Sequence, residues 1–145
     1  MGLEDSAKTI LHFYGGANSV TGSNFVIERG GTKIMVDCGL SQGGHYKDPK
    51  DDPNRKPFDY NPAEIDFLIV THAHADHIGL IPKLVKDGFE GKIYSTPTTY
   101  EIAEVMFDDA LSVISEEAKD YNIEPLYSRK DMEKALSLWE TVQYH

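Results

Sequence analysis

Thr71-His72-Ala73-His74-Ala75-Asp76-His77 sets three histidines and a carboxylate within the six residues from His72 to His77. The stretch follows the apolar run Phe67-Leu68-Ile69-Val70 and precedes Ile78-Gly79-Leu80-Ile81-Pro82-Lys83-Leu84-Val85. A short apolar run before a longer helix-prone one reads as a buried strand handing over to a helix. Neutral imidazoles and carboxylates are donors that Zn²⁺ prefers, and alanines at 73 and 75 leave room for them to converge. On an extended backbone His72 and His74, two residues apart, point the same way. Asp76 and His77 then face a neighbouring position as the chain turns, so the spacing suggests two adjacent metals rather than one.

Working outward, Thr9 to Tyr14 is β-prone and ends at Gly15-Gly16. Asn24 to Glu28 and Lys33 to Asp37 read as a hairpin turned by Arg29-Gly30-Gly31. Residues 39–60 form a long polar loop, and Asn61-Pro62-Ala63-Glu64 has the marks of a short helix start. Beyond the histidines a helix is expected from about Gly79 to Gly88, with Pro82 in its first turn, then a strand at Lys92 to Ser95. Thr96-Pro97 opens a long helix whose apolar positions Ile102, Val105, Met106, Ala110 and Val113 read as its core face. Glu101, Glu104, Asp108 and Glu116 read as a solvated face. Ser128 and Asp131 cap a last helix through about Trp139, and Thr141 to Tyr144 begins another strand. This order implies an α/β layered fold with a mixed sheet and flanking helices.

Composition limits what the protein does. The 145 residues carry a formal net charge of −10, with 40% hydrophobic and 26% charged residues, which is ordinary globular chemistry. Residues 1–60 hold 7 basic and 8 acidic side chains, and residues 61–145 hold 7 and 16. No basic face of the kind a nucleic-acid binder shows emerges on average. The single cysteine excludes an internal disulfide framework. No apolar run suits a membrane span, and Met1 to Ile10 is too acidic and polar for a secretory signal, so a soluble, cytoplasmic chain is expected. Cys38 reads as a small buried residue and His12 as structural, while His45 sits in the long loop near the expected cleft.

The histidine stretch resembles the His-x-His-x-Asp-His signature of the metallo-β-lactamase superfamily. Asp37, ending Met35-Val36-Asp37-Cys38-Gly39, is similar to the Asp that this family carries ahead of its His cluster. Gly15-Gly16-Ala17-Asn18-Ser19-Val20-Thr21-Gly22-Ser23-Asn24 and Pro125-Leu126-Tyr127-Ser128 resemble the β-CASP branch, which includes the cleavage-and-polyadenylation endonucleases. The resemblance spans roughly Thr9 to Tyr144 and implies an αββα sandwich, of which residues 1–145 would be the N-terminal half.

It further implies that His72 and His74 bind a first zinc and that Asp76 and His77 bind a second. Asp76 would also orient or deprotonate the attacking water, with Asp37 fixing the ligand loop through hydrogen bonds. Two zincs clamp the oxygens of an RNA phosphodiester in this reading. The later His and bridging Asp motifs of the family and its RNA-closing second domain are not matched in this sequence, and His145 falls ahead of the third motif. Each zinc then has about two donors here against the usual three plus water, so this stretch alone is expected to be inactive. RNA is the implied partner of the longer protein, together with self-association or association with the missing half through an unpaired sheet edge. A small thioester or lactone hydrolase, which the acidic charge favours, and a non-catalytic fragment remain the alternatives.

Overall fold

The computed structural model describes residues 8–144. The expectations for the segment before Lys8 and for His145 lie outside the described residues. One six-stranded sheet runs in sequence order, made of β1 (Ile10–Gly15), β2 (Asn24–Arg29), β3 (Thr32–Val36), β4 (Phe67–Ile69), β5 (Lys92–Ser95) and β6 (Trp139–Thr141). The first three strands pair antiparallel and the rest join in parallel, giving the mixed sheet. The parallel strands need crossovers: the long loop supplies the one from β3 to β4, and helices supply the other two. These are α1 (Ala75–Ile78) with α2 (Ile81–Lys86) between β4 and β5, and α3 (Pro97–Asp120) with α4 (Arg129–Ser137) between β5 and β6. The long loop is stiffened by single 3₁₀ turns at Pro49–Asp51 and Pro53–Arg55, with a further one at Pro62–Glu64 capped by the Asn61 side chain.

Strand alternation sorts the side chains into two sets. The register row Val26, Met35, Leu68, Ile93 and Trp139 faces the helices. There it merges with Ile81, Leu84, Phe107, Met132 and Ala135 in one core. The flanking rows Phe13, Phe25, Val36, Ile69, Tyr94 and Leu11, Ile27, Ile34, Phe67 lie on the other face. No described element covers that face, so Phe13 stays 59% exposed and Ile69 40%. β4 is therefore an alternating strand and not one buried on both sides.

Two expected helices differ from the sequence reading. The helix expected from Gly79 to Gly88 is the shorter α2, and a separate helix, α1, forms upstream of it within the histidine stretch; the amide of Leu80 bonds the carbonyl of Cys38 at 2.9 Å, which keeps the two apart. On α3 the buried positions are Thr99, Ala103, Phe107 and Leu111, whereas Ile102, Val105, Met106 and Val113 face outward. The buried stripe is the one carrying Phe107 against Trp139, with ring centroids 6.3 Å apart. The capping box of Ser128 and Asp131 stands as read, but the chain leaves the helix by Leu138, and Trp139 opens β6.

Candidate metal centre

The histidine stretch leaves the C-terminal end of β4 beside the C-terminal end of β3, where a parallel sheet opens a crevice for ligands. Its loop is held by backbone on several sides. The amide of Ser23 donates to the carbonyl of Asp76 at 2.9 Å, that of Cys38 to His77 at 2.8 Å, and that of Leu40 to Ala75 at 3.0 Å. This approach requires Gly39, since a Cβ there would lie 1.7 Å from the Asp76 carbonyl oxygen.

Asp37 sits beneath the loop in the left-handed region, φ 60°, and is 2% exposed. Its Oδ1 accepts the Thr71 amide at 2.9 Å. Its Oδ2 accepts the Thr71 hydroxyl at 2.8 Å, contacts His77 Nδ1 at 2.7 Å and takes a longer bond from Ser23 at 3.4 Å. A buried carboxylate accepts rather than donates, so His77 presents N–H at Nδ1 and a bare Nε2. Both carboxylate oxygens of Asp37 are thus engaged, chiefly by Thr71 and His77 of the histidine stretch.

The four expected donors meet at one rim. The His72 ring centroid is 4.7 Å from that of His74 and 3.9 Å from that of His77. His77 Nε2 lies 3.6 Å from Asp76 Oδ2, and both side chains are about a quarter exposed. Their chemistry suits a borderline divalent ion. Among the described residues, however, no three His, Cys, Asp or Glu side chains converge closely enough to enclose an ion unaided. The donors fit in kind, and they do not close a coordination shell by themselves.

The remaining candidates lie elsewhere. His12 faces Glu28 across the strand pair at 3.1 Å. His45 is exposed on the long loop. Cys38 is fully buried, and burial pushes its thiol up to about 12, far from the thiolate a metal needs. Thr71 and Ser23 were not singled out in the sequence. Their only signal was position, Thr71 directly before His72 and Ser23 in the glycine-rich opening. Among the described residues no helix is long and apolar enough to cross a membrane.

Comparison with known proteins converges on one family. The family model described as Metallo-beta-lactamase superfamily matches residues 18–139. Ribonuclease TTHA0252 of Thermus thermophilus is 35% identical over 131 residues, covering 90% of this chain and 27% of that protein. Transcription termination factor FttA of Methanosarcina mazei is 37% identical over 110 residues, covering 72% and 16%. Cleavage and polyadenylation specificity factor 73 of Drosophila melanogaster is 30% identical, covering 90% and 18%. The chain therefore spans about a quarter or less of the length of these relatives.

Proposed function

This chain belongs to the metallo-beta-lactamase superfamily, and on that premise we propose that it carries the first part of the metal centre of a β-CASP-type hydrolase that cleaves RNA phosphodiesters. The observation that carries the reading is the meeting of His72, His74, Asp76 and His77 at the end of β4. Beneath them Asp37 fixes His77 through Nδ1. The relatives named for ribonuclease, transcription-termination and cleavage-factor roles support the substrate class.

His72 and His74 would hold one zinc, and Asp76 and His77 a second. A divalent ion so held supplies Lewis-acid stabilisation of the charge that develops on a scissile phosphodiester. The chain's own residues position it. His77 offers Nε2 because Nδ1 is committed, Asp76 faces the same space and can orient a water, and the loop is kept rigid by its backbone bonds to residues 38–40. The third donors and the RNA-closing surface belong, in this proposal, to sequence beyond these motifs. The apolar open face of the sheet is where a second layer of the sandwich packs, or failing that a second copy.

Elemental analysis of a gel-filtered peak after zinc reconstitution, followed by an assay on single-stranded RNA, tests the proposal. Weak zinc uptake, well under one ion per chain, is expected, lost on replacing His72 and His74 by Ala, with cleavage seen only in a longer protein. Zinc uptake indifferent to those substitutions overturns the assignment of the site. The acidic charge favours a second reading, hydrolysis of a small thioester. Turnover of such a substrate, with RNA untouched by the longer protein, would establish it.

A further inference from the structure

We propose that Thr71 is a positioning residue that sets the tautomer of His72, so that one buried carboxylate, Asp37, dictates which ring nitrogen both His72 and His77 present to a metal. The inference deepens the metal-centre reading above and rests on it for its consequence, though not for its geometry.

The Thr71 hydroxyl lies between two partners. Its Oγ1 is 2.8 Å from Asp37 Oδ2 and 3.1 Å from His72 Nδ1. Asp37 is buried and its Oδ1 already accepts the Thr71 amide at 2.9 Å. The carboxylate is an acceptor, so the single hydroxyl proton of Thr71 goes to Oδ2. What remains on Oγ1 is lone pairs, and the atom facing them must donate. His72 Nδ1 therefore carries the proton and Nε2 stays bare. The same Oδ2 holds His77 at Nδ1 with 2.7 Å, again leaving Nε2 free. The two rings, 3.9 Å apart, are thereby given the same tautomer, one directly and one through a hydroxyl. Among the described residues His74 has no such tie; it is exposed, and no side-chain hydrogen bond caps α1 from that position. A hydroxyl is required, and its neighbouring methyl is not, so serine should serve and valine should not.

The test reads the rings in the metal-free chain and then the metal. Two-bond ¹⁵N–¹H NMR correlations of the imidazoles in the wild-type protein, at a pH where they are neutral, should show His72 and His77 as the Nδ1-H tautomer. In Thr71→Val the His72 pattern should move to a mixture or to Nε2-H while His77 keeps its own, and Thr71→Ser should restore it. Zinc affinity should fall roughly 10-fold in Thr71→Val, the lower end of what loss of an outer partner costs, and recover in Thr71→Ser. An unchanged His72 tautomer in Thr71→Val overturns the inference. So does equal loss in the valine and serine variants, which would mark a purely structural role. If the tautomers behave as stated but zinc affinity does not respond, the link from Thr71 to the metal is overturned. If the wild-type chain binds no zinc at all, it is the metal-centre reading that fails, and the tautomer result is judged by the spectra.

Discussion

On the helix-bearing face of the sheet Met35, Leu68 and Ile93 are fully enclosed, while on its other face Leu11, Phe13 and Ile69 stay 40 to 59% exposed. The residue types are alike, and only the presence of a covering layer differs. The fully enclosed apolar side chains of the sheet therefore lie on one side of it, where burial contributes roughly 25 cal/mol per Å² of apolar surface removed from water, while on the other Phe25, Ile27, Ile34, Val36, Phe67 and Tyr94 are only half-buried. The contrast is most sharply drawn at Leu68 and Ile69. Leu68→Ala removes a fully buried side chain of the core and should cost about 2–5 kcal/mol in denaturant unfolding. Ile69→Ala should cost about 1 kcal/mol or less, and an equal loss at both would show that the open face is covered in solution.

A second contrast separates the loop under the histidines from the sheet that carries it. The loop buries little apolar surface beyond Ala73 and depends on close backbone contact at Gly39. Gly39→Ala pushes a Cβ onto the Asp76 carbonyl, and overpacking of this kind costs about 1–3 kcal/mol. The displaced atoms belong to the ligand loop, so zinc uptake should fall much further than stability does. Thermal unfolding and metal titration of the same variant check this. Uptake unchanged at lowered stability would mean that the loop tolerates the shift and that the site does not rely on the Gly39 contact.

The open face itself yields the next effect. Phe13→Lys with Ile69→Lys places two charges on it at little cost to the monomer, since neither side chain is enclosed. If this surface drives copies together, the wild-type chain should elute as a larger species on gel filtration and the double variant as a monomer. Two identical monomeric profiles would leave the face to the rest of the domain.

How legible all this was depended on the range of the interactions. Strands with their own turn signals, Asn24 to Glu28 and Lys92 to Ser95, and the histidine loop between β4 and a helix could be read, to within a residue, because local chemistry decides them. The break at Leu80 could not, since it is made by the carbonyl of Cys38, more than 40 residues earlier in the chain. Asp37 was read as a supporting residue, but its bonds to Thr71 and Ser23 are long-range and carry no periodic signal. The long helix misled for a different reason. α3 has apolar residues on two sides, and spacing alone does not say which side meets Trp139.

That helix gives the smallest expected effect and a strict test of which face is free. Val105 and Val113 are 68% and 67% exposed. Each has carboxylates one turn away, Glu101, Asp108 and Asp109 around the first, Asp109, Glu116 and Glu117 around the second. Lysine has the higher helix propensity, and pairs at i,i+3 and i,i+4 contribute about 0.2–0.5 kcal/mol each. Val105→Lys with Val113→Lys should therefore leave stability unchanged or raise it by a few tenths of a kcal/mol, a gain that fades with added salt. Phe107→Ala on the opposite side should cost about 3–5 kcal/mol. If instead the double lysine variant lost more than about 1 kcal/mol, the amount expected only where apolar area is buried, the outward stripe of α3 would be packed against something in solution. The one-sided core described above would then have to be redrawn around both faces of that helix.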